Sequence, residues 1–121
     1  MRAVNILLID DDETVLESIG EFLAARGHAI RTATDGLEAL RRMEAEVPDL
    51  VLCDVRMPGM NGLLFLQAAR TRFPETPVVL MSGDRDAEAA MATFRSGAYD
   101  YLRKPIRIPE LIACIRRVEA V

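Results

Sequence analysis

Two hydrophobic periodicities alternate along this chain, and that alternation limits its fold more than any other feature. The stretches VNILLID (4–10), AIRTAT (29–34), DLVLCD (49–54), PVVLMS (77–82) and YDYL (99–102) have the length and apolar content of short strands. The first, third and fourth are nearly continuous apolar runs, as expected for strands covered on both faces. AIRTAT alternates instead, which suits a strand nearer an edge. Helical spacing fills the gaps. In 13–26, Val15, Leu16, Ile19, Phe22 and Leu23 share one face, and Gly27 stands where such a helix would stop. In 36–46, Leu37, Leu40 and Met43 line a stripe, with Asp35 and Glu38 spaced as a capping box. Leu63, Leu64, Phe65 and Leu66 mark a helix over 61–72, ended by Pro74. Asp86 can cap AEAAMATFR (87–95), which Gly97 follows. Pro109 suits the first turn of a last helix carrying Leu111, Ile112, Ile115 and Val118. Strand–helix pairs of this length imply parallel strands joined by right-handed crossovers. The expected fold is α/β, a doubly wound (βα)5 sandwich with a parallel five-stranded sheet, formed by the 121 residues as one domain.

In such a sheet, ligands bind beyond the carboxyl ends of the strands. The residues at those ends are unusual. The first strand runs into Asp10, Asp11 and Asp12, the third ends in Asp54 and the fourth in Ser82, while Lys104 follows the fifth, just before Pro105. Converging carboxylates without histidine or cysteine make a hard oxygen site, suited to magnesium. A carboxylate beside such a cation can act as a nucleophile towards phosphorus and form an acyl phosphate. The Lys104 ammonium and the Ser82 hydroxyl could then meet the charge on the phosphoryl oxygens.

Other features narrow the function classes. The net charge of −4 argues against direct binding of nucleic acid or an anionic membrane by this domain. No apolar run approaches the roughly 20 residues of a membrane span. No small-residue cleavage site follows MRAVNILLID, so a signal peptide is not expected. Cys53 and Cys114 stand far apart in apolar surroundings, as two buried, reduced thiols of a cytoplasmic protein would. Several charged residues have ordinary structural roles open to them. Asp12 and Glu13 fit the first turn of a helix, but a cap needs one carboxylate, not three. Arg116 and Arg117 fit the end of a helix. His28, in a turn after Gly27, is expected to be solvated. Pro58 and Gly59 shape a loop, and Met57 should pack near the site.

The stretches LLIDDDE, DLVLCDVRMPGMNGL, PVVLMSGD and GAYDYLRKPI closely resemble the response-regulator receiver domain of two-component signalling, in order, in spacing and over essentially the whole chain, 1–121. The resemblance implies the flavodoxin-like strand order 2-1-3-4-5. It implies that Asp54 is the phosphoacceptor. Asp10 and Asp11 would hold Mg2+, Asp11 directly and Asp10 through water, with the backbone carbonyl of Arg56 as a further ligand. Ser82 would be the switch hydroxyl, Lys104 would pair with a phosphoryl oxygen, Lys104–Pro105 would be a cis peptide, and Tyr101 would be the switch aromatic. Arg56 and Asp84 match the positions that tune dephosphorylation. The implied partner is a sensor histidine kinase or a phosphotransfer protein. The responding face would be made by the fourth helix, the fifth strand and the fifth helix, with phosphorylation-dependent homodimerisation through it. That face would control either an output domain outside this chain or a separate partner, the chain being a free-standing regulator or a piece of a longer one. RMPGMNG and GAYDYLRKP are similar in wording to nitrogen-regulator-type proteins with an ATPase and DNA-binding output. The implied protein is a switch with self-catalysed phosphotransfer and slow autodephosphorylation, not an enzyme. Competing readings fit less well. A phosphatase of the haloacid dehalogenase type would carry its nucleophile after strand one and add a cap domain. A flavodoxin-like cofactor binder would have a Ser/Thr/Gly-rich phosphate loop after strand one. A phosphorylation-independent interaction module would usually lack one of the aspartates or the lysine.

Overall fold

The computed structural model describes residues 3–83 and 97–119. Its strands are β1 (Asn5–Ile9), β2 (Ala29–Ala33), β3 (Leu50–Asp54), β4 (Val78–Ser82) and β5 (Asp100–Arg103). All neighbours pair in parallel, in the order β2-β1-β3-β4-β5. The described helices are α1 (Glu13–Ala25), α2 (Gly36–Ala45), α3 (Gly62–Arg72) and a C-terminal helix (Ile108–Glu119). The expected helix over 87–95, with its cap Asp86, lies outside the described residues. The doubly wound sandwich and its strand order are thus as expected.

Burial follows the sequence pattern. Every residue of β3 and β4 is buried, and only Asn5 of β1 is not, whereas β2 at the edge buries Ala33 alone. Alternate residues feed two cores. Leu7, Ile9, Val51, Cys53 and Leu80 meet α2 and α3 on one face. Ile6, Leu8, Leu52, Val79 and Met81 meet α1 and the C-terminal helix on the other. A strand that serves both cores cannot alternate with polar residues, so the first, third and fourth runs are continuous.

Helix starts are fixed by side-chain caps. Asp12 Oδ1 accepts from the Thr14 amide at 2.9 Å, and Asn61 Oδ1 accepts from the Leu64 amide at 3.0 Å. At α2, Asp35 Oδ1 accepts from the Glu38 amide at 2.8 Å. Glu38 reaches one residue further back than a standard capping box, to the Thr34 amide at 3.0 Å. Gly27, at φ 92°, closes α1 in a conformation that disfavours a side chain.

Two expectations need correcting. Leu37 is 52% exposed rather than part of the stripe with Leu40 and Met43, and Leu64, among the residues that mark α3, is likewise 52% exposed. The inward stripes are Gly36, Ala39, Leu40 and Met43 on α2, and Gly62, Phe65, Leu66 and Ala69 on α3. Both follow the i, i+3, i+4, i+7 pattern, but each begins on a glycine, which carries no apolar signal. His28 is buried, not solvated. The turn after α1 folds back under β1, where Ala29 donates to the Val4 carbonyl at 3.0 Å and the Val4 amide donates to His28 Nδ1 at 3.1 Å. The opposite side of the ring, Nε2, lies 3.9 Å from Glu119 on the C-terminal helix.

Candidate functional site

The site forms where β1, β3, β4 and β5 end. The sheet register brings Asp54 opposite Met81 and Ser82 opposite Arg103, so the chemistry-bearing residues fall at one edge. Asp10 is the first residue past β1. It is fully buried, and both its oxygens are used: Oδ1 accepts from the Asp12 amide at 2.9 Å, and Oδ2 accepts from Lys104 Nζ at 2.9 Å. The same Lys104 Nζ lies 3.2 Å from Asp54 Oδ1. Lys104 itself is held by its amide, which donates to the Ser82 carbonyl at 2.8 Å, and the Lys104–Pro105 peptide is cis. Asp11 is exposed at the mouth, and the carboxylates of Asp10, Asp11 and Asp54 lie within 4.8 Å of one another.

Three carboxylates face one ammonium, and the imbalance is visible in their proton affinities. Asp54 is raised to about 6, first by burial and then by the charge of Asp10, with Lys104 opposing. Burial works to lower Lys104, yet its hydrogen bond to Asp10 and the charge of Asp54 leave it raised overall. Burial, reinforced by Asp54 and Asp10, raises the Cys53 thiol well above its usual value, so it stays protonated in the core. The donor set is all oxygen and carries excess negative charge. That is the chemistry of a hard divalent cation site, and the residues present fit one.

Ser82 is buried, with its hydroxyl donating to the Gly83 carbonyl at 3.1 Å and lying 3.2 Å from the Tyr101 hydroxyl. Tyr101 is half-buried and packs against the core under α2 and α3. Beside the carboxylates a groove of about 470 Å³ is lined by Asp11, Arg56, Met57, Pro58, Asn61 and Leu63. Arg56 is exposed on its rim, and Met57 is buried near the site as expected. The structure thus brings together Asp10, Asp11, Asp54, Lys104, Ser82 and Tyr101, with Arg56 adjacent, while Asp84 lies outside the described residues.

Sequence reasoning gave Lys104 a single phosphoryl partner, and the structure ties it to Asp10 as well. It also passed over Gly62. A side chain built there would meet the Asp54 carbonyl and the Val55 Cα at 2.7 Å each, both of them backbone. The Gly62 amide donates to the Val55 carbonyl at 2.9 Å, which clamps α3 directly behind Asp54. The signal was present as a glycine after the Asn61 cap. Gly62→Ala must therefore move Asp54 or the start of α3. The expected cost is about 1–3 kcal/mol, typical of forced overpacking. A urea titration of both proteins checks it.

An acidic pocket with one lysine, at the carboxyl edge of a 2-1-3-4-5 parallel sheet, defines a doubly wound α/β domain whose strand-end residues fit a divalent cation. Residues 6–116 match the model of the response regulator receiver domain, and the chain belongs to that family, the receiver domains of two-component response regulators. It is 37% identical over 112 residues to the DNA-binding transcriptional regulator NtrC of Escherichia coli K12, covering 93% of this chain and 24% of that protein. It is 36% identical over 118 residues to the regulatory protein AtoC of the same strain, covering 97% of this chain and 26% of that protein. The chain thus spans about a quarter of the length of these relatives. Among solved structures, the receiver domain of NtrX from Brucella abortus superposes with a TM-score of 0.89 at 34% identity, covering 94% of this chain and 97% of that one. A putative response regulator from Chloroflexus aurantiacus gives 0.91 at 32% identity, covering 99% and 100%. Among the described residues, no helix is long and apolar enough to cross a membrane.

Proposed function

We propose that this chain is a phosphorylation-activated switch in which Asp54 accepts a phosphoryl group from a histidine kinase or phosphotransfer protein. The observation that carries the reading is the position of Lys104 Nζ, 2.9 Å from Asp10 and 3.2 Å from Asp54, beside three carboxylates that converge within 4.8 Å. An Asp54 oxygen attacks phosphorus, the bond from phosphorus to the donor's nitrogen or oxygen breaks, and the leaving group departs with its electron pair. Asp10, Asp11, Asp54 and the Arg56 carbonyl are the residues that would hold Mg2+, which when bound neutralises charge on the phosphoryl oxygens. Lys104 offers its ammonium to a second phosphoryl oxygen, and because Asp10 also holds it, it needs little rearrangement. Ser82 can turn its hydroxyl from the Gly83 carbonyl to a third oxygen. That turn gives up its contact with Tyr101 and lets the ring repack. A phosphoryl group at this crowded edge thus biases a two-state equilibrium through differential contacts.

The test is direct. Incubation with acetyl phosphate and Mg2+ should add one phosphoryl mass to the intact protein, and chelation or Asp54→Ala should abolish the addition. Modification that persists in Asp54→Ala would rule out the assigned acceptor. The reading extends to autodephosphorylation. Arg56 on the groove rim and Asp84 would screen the acyl phosphate from attacking water. Arg56→Ala should then shorten the lifetime of the phosphorylated form, measured as loss of label after donor removal, and an unchanged lifetime would refute the screen.

The wider reading is that of a signalling protein in the cytoplasm. NtrC is described as a DNA-binding transcriptional regulator and spans about four times the matched length, which supports an output domain that acts on DNA in a longer polypeptide. This domain itself, with net charge −4, would grip neither nucleic acid nor a membrane. Dimerisation through the face that includes β5 and the C-terminal helix is the expected consequence of phosphorylation.

A further inference from the structure

We infer that Met60 is a positioning residue for the cation site, acting as a plug that seats the loop after Asp54 onto the first turn of α2. The inference rests on the proposed cation site and adds a residue that carries no charge and is not itself a ligand.

The loop over residues 56–61 leaves β3 directly after the acidic pocket and returns at α3. Its two ends are tightly held. The Val55 amide donates to the Met81 carbonyl at 2.9 Å, and the Gly62 amide donates to the Val55 carbonyl at 2.9 Å. Between these pins the loop carries Arg56, whose carbonyl is the proposed backbone ligand, and Gly59 at φ 74°. Met57 is buried in the core formed with α2 and α3 and holds the near half of the loop. Pro58 and Gly59 are exposed, so beyond Met57 the purchase falls to Met60, partly buried against the same core.

The other half of the contact is Gly36, the first residue of α2. A Cβ built on Gly36 would fall 2.9 Å from Met60 Sδ, 3.0 Å from its Cγ and 3.2 Å from its Cβ. The methionine side chain therefore lies along the space that any other residue at position 36 would fill. Gly36 has no positive φ, so backbone conformation does not demand a glycine there. Close approach does. The start of α2 is itself well anchored, by the Asp35 cap and by Glu38 bound to the Thr34 amide. Met60 thus docks the far half of the loop onto a fixed point; without it Met57 would be the only core anchor, and Pro58 and Gly59 would be free to tilt and carry the Arg56 end with them. Groups hydrogen-bonded to metal ligands typically change metal affinity about 10- to 100-fold when removed, and a packing contact one step further from the ligand is expected at the lower end of that range.

The experiment is an equilibrium titration of the unphosphorylated protein with Mn2+ as probe, followed by water-proton relaxation, alongside a urea titration of each variant. Met60→Ala should weaken Mn2+ binding about 10-fold. Met60→Leu, which keeps volume and apolarity, should recover most of it. Gly36→Ala adds a methyl group where the plug sits, so introducing Met60→Ala in that background should cost less than it does in the wild type. Equal Mn2+ affinity in wild type and Met60→Ala would overturn the inference, as would strict additivity of the two substitutions. If the wild type binds no Mn2+ and Asp11→Asn changes nothing, the proposed cation site fails and the inference falls with it, which is a distinct result from the first.

Discussion

Lys104→Met is expected to slow phosphoryl uptake by roughly 100- to 1,000-fold, the usual loss when one preorganised donor to developing charge is removed. Methionine keeps the length and apolar stem of the side chain, so the change isolates the ammonium. In the resting protein that ammonium bridges Asp10 and Asp54 at 2.9 and 3.2 Å. During transfer, charge grows on the phosphoryl oxygens while Asp54 loses its own, and a cation already held by Asp10 can follow that shift without reorganising. The substitution also acts before any donor arrives. Asp10 is fully buried and loses its ammonium partner, and Asp54 loses the charge that lowers its proton affinity. Both effects should raise the fraction of Asp54 that is protonated and unable to attack near neutral pH. The loss is therefore expected to shrink as pH rises from 6 to 8. Single-turnover rates with acetyl phosphate at saturating Mg2+, across that range, measure both the size and the slope. A loss under about tenfold at every pH would mean that Lys104 holds the resting pocket together without assisting transfer. Lys104→Arg should fall between the two proteins, because it keeps the charge but presents a planar fork in place of a compact ammonium.

The fold was legible because its signals are local. Continuous apolar runs at β1, β3 and β4 can only be central parallel strands when helical spacing separates them. Strand ends then become site positions by topology alone, and Asp10, Asp54, Ser82 and Lys104 all fell where that rule put them. What stayed hidden depended on contacts between distant segments. The burial of His28 follows from a turn folding under β1 and meeting the C-terminal helix, which no window around residue 28 contains. Leu37 and Leu64 mislead because leucine looks like core, while Gly36 and Gly62, the true first residues of the inward stripes, look like nothing. Glycine reports close approach only once the approaching partner is known, here Met60 in one case and the backbone of Asp54 and Val55 in the other. The tie between Lys104 and Asp10 was hidden for the same reason, being a contact across 94 residues of chain.

The second large effect concerns stability and needs no phosphodonor. Without a divalent cation, Asp54→Asn should stabilise the folded chain at neutral pH by about 2–3 kcal/mol, and the gain should vanish towards pH 4. The sign follows from the raised proton affinity of Asp54, about 6 in the folded chain against 3.8 for an unperturbed carboxyl. Between those values the folded state binds more protons than the unfolded state, so stability falls as pH rises. The favourable contribution is complete below about 3.8 and is lost as pH passes through about 6. Above that, the wild type carries an ionised carboxylate that burial and Asp10 both oppose, and asparagine of the same shape carries none. Urea titrations of both proteins in chelator at pH 4.5, 6 and 7.5 should show curves that converge in acid and separate at neutrality. Added Mg2+ should narrow the neutral gap from the wild-type side, because a cation among Asp10, Asp11 and Asp54 relieves the repulsion that the substitution removes. Parallel pH profiles in chelator would show that Asp54 ionises without strain, and would remove the electrostatic reason for expecting a cation in the pocket.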